Sequence, residues 1–259
     1  MPGELAGRNA LVTGAGRGIG RAIALDLAAA GANVALAART GAEIDVVARE
    51  VAAAGVKAVA LPADVADPAA VRTLFKEARA ALGDIDILVN GAGVAPSAPL
   101  VRTSDEQWRQ AIEVNLSGPF YCLREALPAM TARGWGRVVN VASIAGKTGI
   151  PYIAAYAASK HGLLGLTKVA ALEVAARGVT VNAVCPGYVD TPMTDESVRR
   201  IVEKTGVSAA DVRRRLEESS PQKRLYTAAE VSALVLFLCG EGAAGINGQA
   251  LSVDGGTVV

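Results

Sequence analysis

Histidine is nearly missing from this chain: one residue, His161, in 259. Cysteine is scarce too, and Cys122, Cys185 and Cys239 stand far apart in no metal-ligand spacing. These shortages exclude a His/Cys metal centre and the disulfide framework of a small secreted domain. No metal is expected, and a reduced compartment, by default the cytoplasm, is. Charge of either sign is not in surplus, with 26 Lys and Arg against 25 Asp and Glu. That leaves no basic surface for nucleic acid and no acidic tail. No apolar run reaches the roughly 18–20 residues of a membrane span. The opening MPGELAGRNALVTG is not basic and passes almost directly into a strand pattern, so no signal peptide is expected. Aromatics make up only 4%, which suits a closely packed, doubly covered sheet better than a β-sandwich.

What the chain has in plenty is Ala, Val, Leu and Gly. Short β-branched runs alternate with longer Ala-rich segments of helical length. The strand candidates are 9–13, 33–38, 57–62, 86–90, 137–142, 179–184 and 249–254. Helical patterns fill 19–30, 42–54, 68–82, 104–132, 152–177 and 228–240. Such alternation, with nearly continuous apolar strands, means an α/β fold. We expect a doubly wound, mostly parallel sheet of about seven strands with helices on both faces. No repeat or linker divides residues 1–259, so one domain is expected. The stretch 187–226 breaks the alternation. It is too long for an ordinary loop and is expected to be a substrate-side lid.

Two motifs carry chemistry. In VTGAGRGIGRA, from Val12, the first strand ends at Thr13, Gly14, Gly16, Gly18 and Gly20 follow, and a helix begins near Ile19. Glycines let backbone turn sharply and approach a pyrophosphate, which sits on the helix N-terminus. The register is T-G-x-x-x-G-x-G and not G-x-G-x-x-G, because position 19 is Ile19. A tight strand-to-helix turn is a structural need as well, so the loop alone does not decide. In IAAYAASKHG, residues 153–162, Tyr156 and Lys160 stand four apart, on one helix face with Cβ atoms about 5–6 Å apart. This is either an ordinary surface pair or a tyrosine whose proton is tuned by an ammonium. His161, off that face, is read as a packing or interface residue, Trp108 and Trp135 as helix-packing residues and Cys185 as a small buried hydrophobe. Tyr152 is a candidate for lining the cleft.

The motifs in order resemble the short-chain dehydrogenases/reductases, in their shorter branch. The likeness spans nearly the whole chain: Thr13–Gly20, Asp64, NGAG at 90–93, Asn115, Ser143, the Tyr156/Lys160 pair, PGYVDTP at 186–192 and VDGG near the end. It implies a Rossmann-like fold and a nicotinamide cofactor. Gly14, Gly18, Ile19 and Gly20 would hold the pyrophosphate, Asp64 and Val65 would flank the adenine, and Asn90 and Ala92 would lie along its ribose. Pro186, Gly187, Val189 and Thr191 would hold the nicotinamide, and Lys160 its ribose. Tyr156 would exchange a proton with the substrate oxygen, Ser143 would hydrogen-bond that oxygen, and Asn115 would support a water leading to Lys160. Gly91 departs from the family, which more often has a second Asn there.

This implies hydride transfer between the cofactor and a ketone or secondary alcohol, with 3-oxoacyl-thioester and polyketide ketoreductases and 3-hydroxybutyrate-type dehydrogenases as the similar kinds. A catalytically silent NADP-binding or regulatory protein is the alternative from another class, and an NAD-dependent hydroxyacyl dehydrogenase another within enzymes. An epimerase or dehydratase of the extended branch fits the length and glycine spacing less well. The second strand ends Ala37–Ala38–Arg39, lacking the acid that binds a ribose 2′-hydroxyl, while Arg17 and Arg39 can converge on a 2′-phosphate. NADP(H) is therefore expected over NAD(H). Helix 152–177 is apolar on more than one face, beyond what covering a sheet requires. A closed homo-oligomer, a tetramer as in similar proteins, is expected.

Overall fold

The β-branched runs form strands where their composition places them. The structure, a computed structural model, describes residues 3–258. Among these, seven strands form one sheet: β1 (Asn9–Thr13), β2 (Asn33–Ala38), β3 (Ala58–Pro62), β4 (Ile87–Asn90), β5 (Gly136–Val141), β6 (Val179–Pro186) and β7 (Ala250–Val253). Every neighbouring pair is parallel, in the order β3-β2-β1-β4-β5-β6-β7.

Period-2 alternation sends successive side chains to opposite faces, and both faces are covered. Val12, Val34 and Leu36 pack with Ile23 and Leu27 of α1 (Gly18–Ala29), Ile44 of α2 (Gly41–Ala52) and Val235 of α9 (Ala228–Cys239). Leu11, Ala35 and Leu88 face the other way, against Phe75 of α3 (Pro68–Leu82), Met130 of α5 (Gly118–Arg133) and Ala170 of α6 (Ala154–Val174). Each fully buried side chain of this size stabilises by about 1.5–3 kcal/mol. Helix starts are set locally. Asp67 accepts from the Ala69 amide, with Pro68 at the first turn of α3, and Thr227 and Glu230 make a capping box at α9. The stretch 187–226 carries two helices, α7 (Pro192–Thr205) and α8 (Ala209–Ser219).

Some sequence expectations are corrected. Segment 104–132 is not one helix: α4 (Asp105–Ile112) runs into a π turn at Glu113–Ser117 before α5. Within that turn Asn115 is fully buried. Its side chain accepts from the Val94 amide and donates to the Val94 carbonyl, both at 2.9 Å. Aiming one side chain inward with both bonds made accounts for the extra residue. Trp135, just before β5, packs as expected against the core face shared with α1 and α9, with the Arg8 and Arg137 guanidinium groups 3.6 and 4.6 Å from its ring centre. Trp108 stays 46% exposed on α4 and packs into no core.

A buried chain of hydrogen bonds ties the sheet to α6. Asn90 donates to Asn140 at 2.8 Å, Asn140 donates to Thr167 at 2.9 Å, and Thr167 donates to the Leu163 carbonyl at 2.7 Å. An unmade buried hydrogen bond costs about 1–3 kcal/mol, and Asn140→Ala removes the acceptor of the Asn90 amide and the donor to the Thr167 hydroxyl, which keeps only its bond to Leu163. We expect a loss of about 2–4 kcal/mol, or roughly 5–15 °C in Tm by thermal unfolding. A Tm within about 2 °C of wild type would mean that this chain of bonds adds no net stability.

Candidate active site

Strand order reverses between β1 and β4, which both pair outward from the centre of the sheet. Connections leave these two strands toward opposite faces, and a crevice opens beyond their carboxyl ends. A cavity of about 880 Å³ occupies it. One wall is the glycine loop. A Cβ on Gly20 would lie 2.1 Å from the Gly14 carbonyl oxygen, and one on Gly14, whose φ is +69°, would lie 2.7 Å from the Ala92 amide nitrogen. Only glycine permits this approach of three backbone segments. Thr13 secures it, its hydroxyl accepting from the amides of Gly91 and Ala92 at 3.1 and 3.3 Å. At the start of α1, Arg17 makes no side-chain cap and no acidic residue lies in the first turn. The first amides of α1 thus lack any side-chain cap of their own and face the cavity, a ready anion site.

The opposite wall comes from β5 and α6. Ser143 follows β5, and its hydroxyl reaches Tyr156, which α6 presents two residues into its first turn. Lys160, one turn on, donates to the Val141 carbonyl at 2.7 Å, its Nζ 5.7 Å from the Tyr156 ring centre. Burial acts on both titrating groups. It raises the Tyr156 pKa, against which the Ser143 hydrogen bond pulls down, while Tyr188 and Cys185 add to the rise. It pushes Lys160 down to about 8 from the ordinary 10.5. Among the protein's own groups, desolvation outweighs the one lowering contribution, the Ser143 hydrogen bond, so Tyr156 is held toward the neutral phenol.

Most residues singled out in the sequence come together here. Gly14, Arg17, Gly18, Ile19, Gly20, Arg39, Asp64, Val65 and Ala92 line the cavity on the β1–β3 side. Ser143, Tyr156, Lys160, Pro186, Gly187, Val189 and Thr191 line it on the other, and Tyr152 stands at its edge. Two do not line it. Asn90 turns into the sheet toward Asn140, with its Oδ1 buried and unpartnered. Asn115 lies behind the wall and donates to Ser159 at 3.0 Å, while Ser159 donates to the Tyr156 carbonyl. His161 points away, its Nδ1 2.9 Å from the Ala157 carbonyl, and Cys185 is fully buried. Sequence reasoning missed Tyr188 and Glu43 in the lining. Glu43 opens α2, and its carboxylate reaches within 2.8 Å of the place a Gly16 Cβ would take. Its position five residues past the end of β2, in the first turn of α2, was the available signal.

A family model, short chain dehydrogenase, matches residues 8–201. The chain is a short-chain dehydrogenase. This short-chain dehydrogenase is 42% identical over 253 residues to D-beta-hydroxybutyrate dehydrogenase of Rhizobium meliloti (strain 1021), covering 96% of this chain and 98% of the relative. It is 39% identical over 250 residues to 3-oxoacyl-(acyl-carrier-protein) reductase FabG of Staphylococcus epidermidis (strain ATCC 12228 / FDA PCI 1200), covering 96% and 98%. Among solved structures, a variant of actinorhodin polyketide ketoreductase with NADPH superposes with a TM-score of 0.94 at 38% identity, covering 99% of both chains. Levodione reductase superposes with a TM-score of 0.92 at 32% identity, covering 97% of this chain and 98% of that one. The family is one of oxidoreductases.

The depressed lysine carries a linkage consequence. Lys160 is 4% exposed, and its shift from 10.5 to about 8 represents on the order of 3 kcal/mol of destabilisation. That cost is complete below about pH 8, where folded and unfolded chains both carry the charge. It fades as pH rises, because the folded chain loses its proton first, and is gone above 10.5. Wild-type stability relative to Lys160→Met should therefore climb by roughly 2–3 kcal/mol between pH ~7 and ~10 in urea unfolding. A difference that stays constant would show the ammonium to be solvated.

Proposed function

We propose that the protein is an NADP(H)-dependent oxidoreductase of ketones and secondary alcohols, with a 3-oxoacyl-type or cyclic ketone as substrate. The observation that carries this reading is the convergence of Ser143, Tyr156 and Lys160 in one cleft facing an uncapped helix N-terminus. A catalytically silent relative has no need of all three.

The residues present fit a dinucleotide. The glycine loop leaves no side chain between backbone and ligand, and the first amides of α1 have no internal acceptor from a cap. Gly14, Gly18, Ile19 and Gly20 would hold the pyrophosphate, Asp64 and Val65 the adenine, and Ala92 would border its ribose. Pro186, Gly187, Val189 and Thr191 would border the nicotinamide. When bound, the nicotinamide supplies or accepts the hydride and, when oxidised, adds a positive charge that favours the Tyr156 phenolate. Tyr156 would pass its proton to the substrate oxygen, and Ser143 would donate a hydrogen bond to that oxygen as charge develops on it. Lys160 would hold the ribose, fixed in place by the Val141 carbonyl. Asn115 acts as a positioning residue, joining the Val94 loop to α6 through Ser159. Residues 187–226 serve as the substrate-side lid of a single domain, and the enzyme works in the cytoplasm.

Val169 and Leu172 on α6 are 53% and 80% exposed, and Phe120 on α5 is 43% exposed. This apolar face favours a closed homo-oligomer, read as a tetramer.

Among the described residues, neither Arg17 nor Arg39 forms an ion pair, and both line the cleft, Arg17 from the glycine loop and Arg39 just after β2. That pairing supports NADP(H). Glu43, over the glycine loop, is the observation favouring NAD(H), since a carboxylate there opposes a phosphate.

Tyr156→Phe should lower kcat by orders of magnitude with little change in NADPH affinity. Retention of more than about a tenth of wild-type turnover, a loss under ~1.4 kcal/mol, would remove the proton-transfer role.

Arg39→Ala should raise KM for NADPH roughly ten- to a hundred-fold, as expected for a charged hydrogen bond of about 1.5–3 kcal/mol. Ala38→Asp should shift preference to NADH, and Glu43→Gln should strengthen preference for NADPH. Steady-state kcat/KM with each cofactor decides, and a wild-type preference for NADH would overturn the assignment of the two arginines.

A further inference from the structure

The charges around the cleft are sorted. Arg17, Arg39, Glu43, Asp64 and Lys160 belong to the sheet side and to α6, and the lid contributes Lys204 from the end of α7 and Arg215 from α8. The lid is not poor in acids, yet none of its carboxylates lines the cleft. They are engaged elsewhere. Arg199 pairs with Glu196, Arg213 holds Asp190 at 2.5 Å and Asp195 at 3.3 Å, and Arg214 holds Asp211 at 2.7 Å.

Among the described residues, neither Arg215 nor Lys204 forms a salt bridge, although Arg215 acts at longer range on Asp211, which Arg214 already holds. Lys204 donates one hydrogen bond, to the Ser97 carbonyl at 3.2 Å, which leaves two of its N–H groups available. The cleft that these two cations line is also lined by Ile150, Ile153, Met193, Ile201, Val212 and Leu216, with Ser197 and Thr205 among the polar residues from the same stretch. A concave apolar wall carrying charge of one sign concentrates counter-ions. An arginine fork suits a planar carboxylate or a phosphate.

We infer that the cleft takes a substrate whose carbonyl end meets Tyr156 and whose other end is anionic, a phosphate or carboxylate on an apolar body, selected by Arg215 and Lys204. This rests on the carbonyl-reducing reading of the site.

The test uses matched pairs of ketones with the NADPH-loaded enzyme: acetoacetyl thioesters of N-acetylcysteamine (neutral) and of pantetheine 4′-phosphate, and methyl levulinate beside levulinate. Arg215→Ala and Lys204→Ala should each raise KM about tenfold, ~1.4 kcal/mol, for the phosphate or the carboxylate member. The neutral partner and kcat should change less than about twofold. Arg215→Lys should restore part of the loss, and added salt should weaken the wild type toward the variants. The member that suffers identifies the anion. Equal changes for neutral and charged partners would overturn the inference. If no ketone is reduced, the oxidoreductase reading fails separately, and calorimetry with pantetheine 4′-phosphate and levulinate still decides the anion site. Binding that Arg215→Glu abolishes supports it, and binding that is absent or unmoved overturns it.

Discussion

Everything in the cleft depends on backbone touching backbone where the loop after β1, the first turn of α1 and the loop after β4 converge. The Gly20 Cα lies so near the Gly14 carbonyl, and Gly14 so near Ala92, that any side chain would force the segments apart. The approach is held by one hydroxyl, that of Thr13, bonded to two successive amides. From it follow the direction of α1, the exposure of its first amides and the width of the crevice. On the far side, the Asn90–Asn140–Thr167 bonds fix α6 against the sheet, so the two walls share the central strands as a common reference.

Such rigidity has an electrostatic cost. Burial moves Tyr156 and Lys160 toward their neutral forms, which is unfavourable for folding of the charged forms and is the kind of shift that clusters at functional sites. A solvated lysine would remain charged throughout and would respond little to a ligand's charge.

Much of the architecture was legible because parallel sheets buried on both faces leave unbroken apolar runs, and each of the seven was found within a residue or two. The glycine loop and the Tyr156/Lys160 spacing were legible because backbone approach and helical period leave marks at fixed offsets. Three features escaped for physical reasons. The π turn at 113–117 arises from a tertiary demand, the burial of Asn115 against Val94, and local propensity does not encode it. Asn90 has the composition of a ligand-binding strand end, but its side-chain direction is set by pairing with Asn140 across 50 positions. The arginines of residues 187–226 look alike in sequence, and only their placement separates Arg213, amid three carboxylates, from Arg215.

The π turn makes the segment from Asp105 to Arg133 intolerant of a change in length. Five residues occupy a loop of the helix where regular winding would take four, so α4 and α5 are out of phase with a continuous helix by about 100°. Deleting a single residue there would yield a straighter, better-bonded helix and would also turn the faces of α4 and α5 relative to each other. Asn115 would swing off the Val94 loop, and the apolar sides of α3 and α6 would meet the wrong row of side chains. The segment therefore behaves as a phase-setting element: substitutions along its exposed face are tolerated, whereas insertions and deletions change the angular relation between the cleft and the helices behind it.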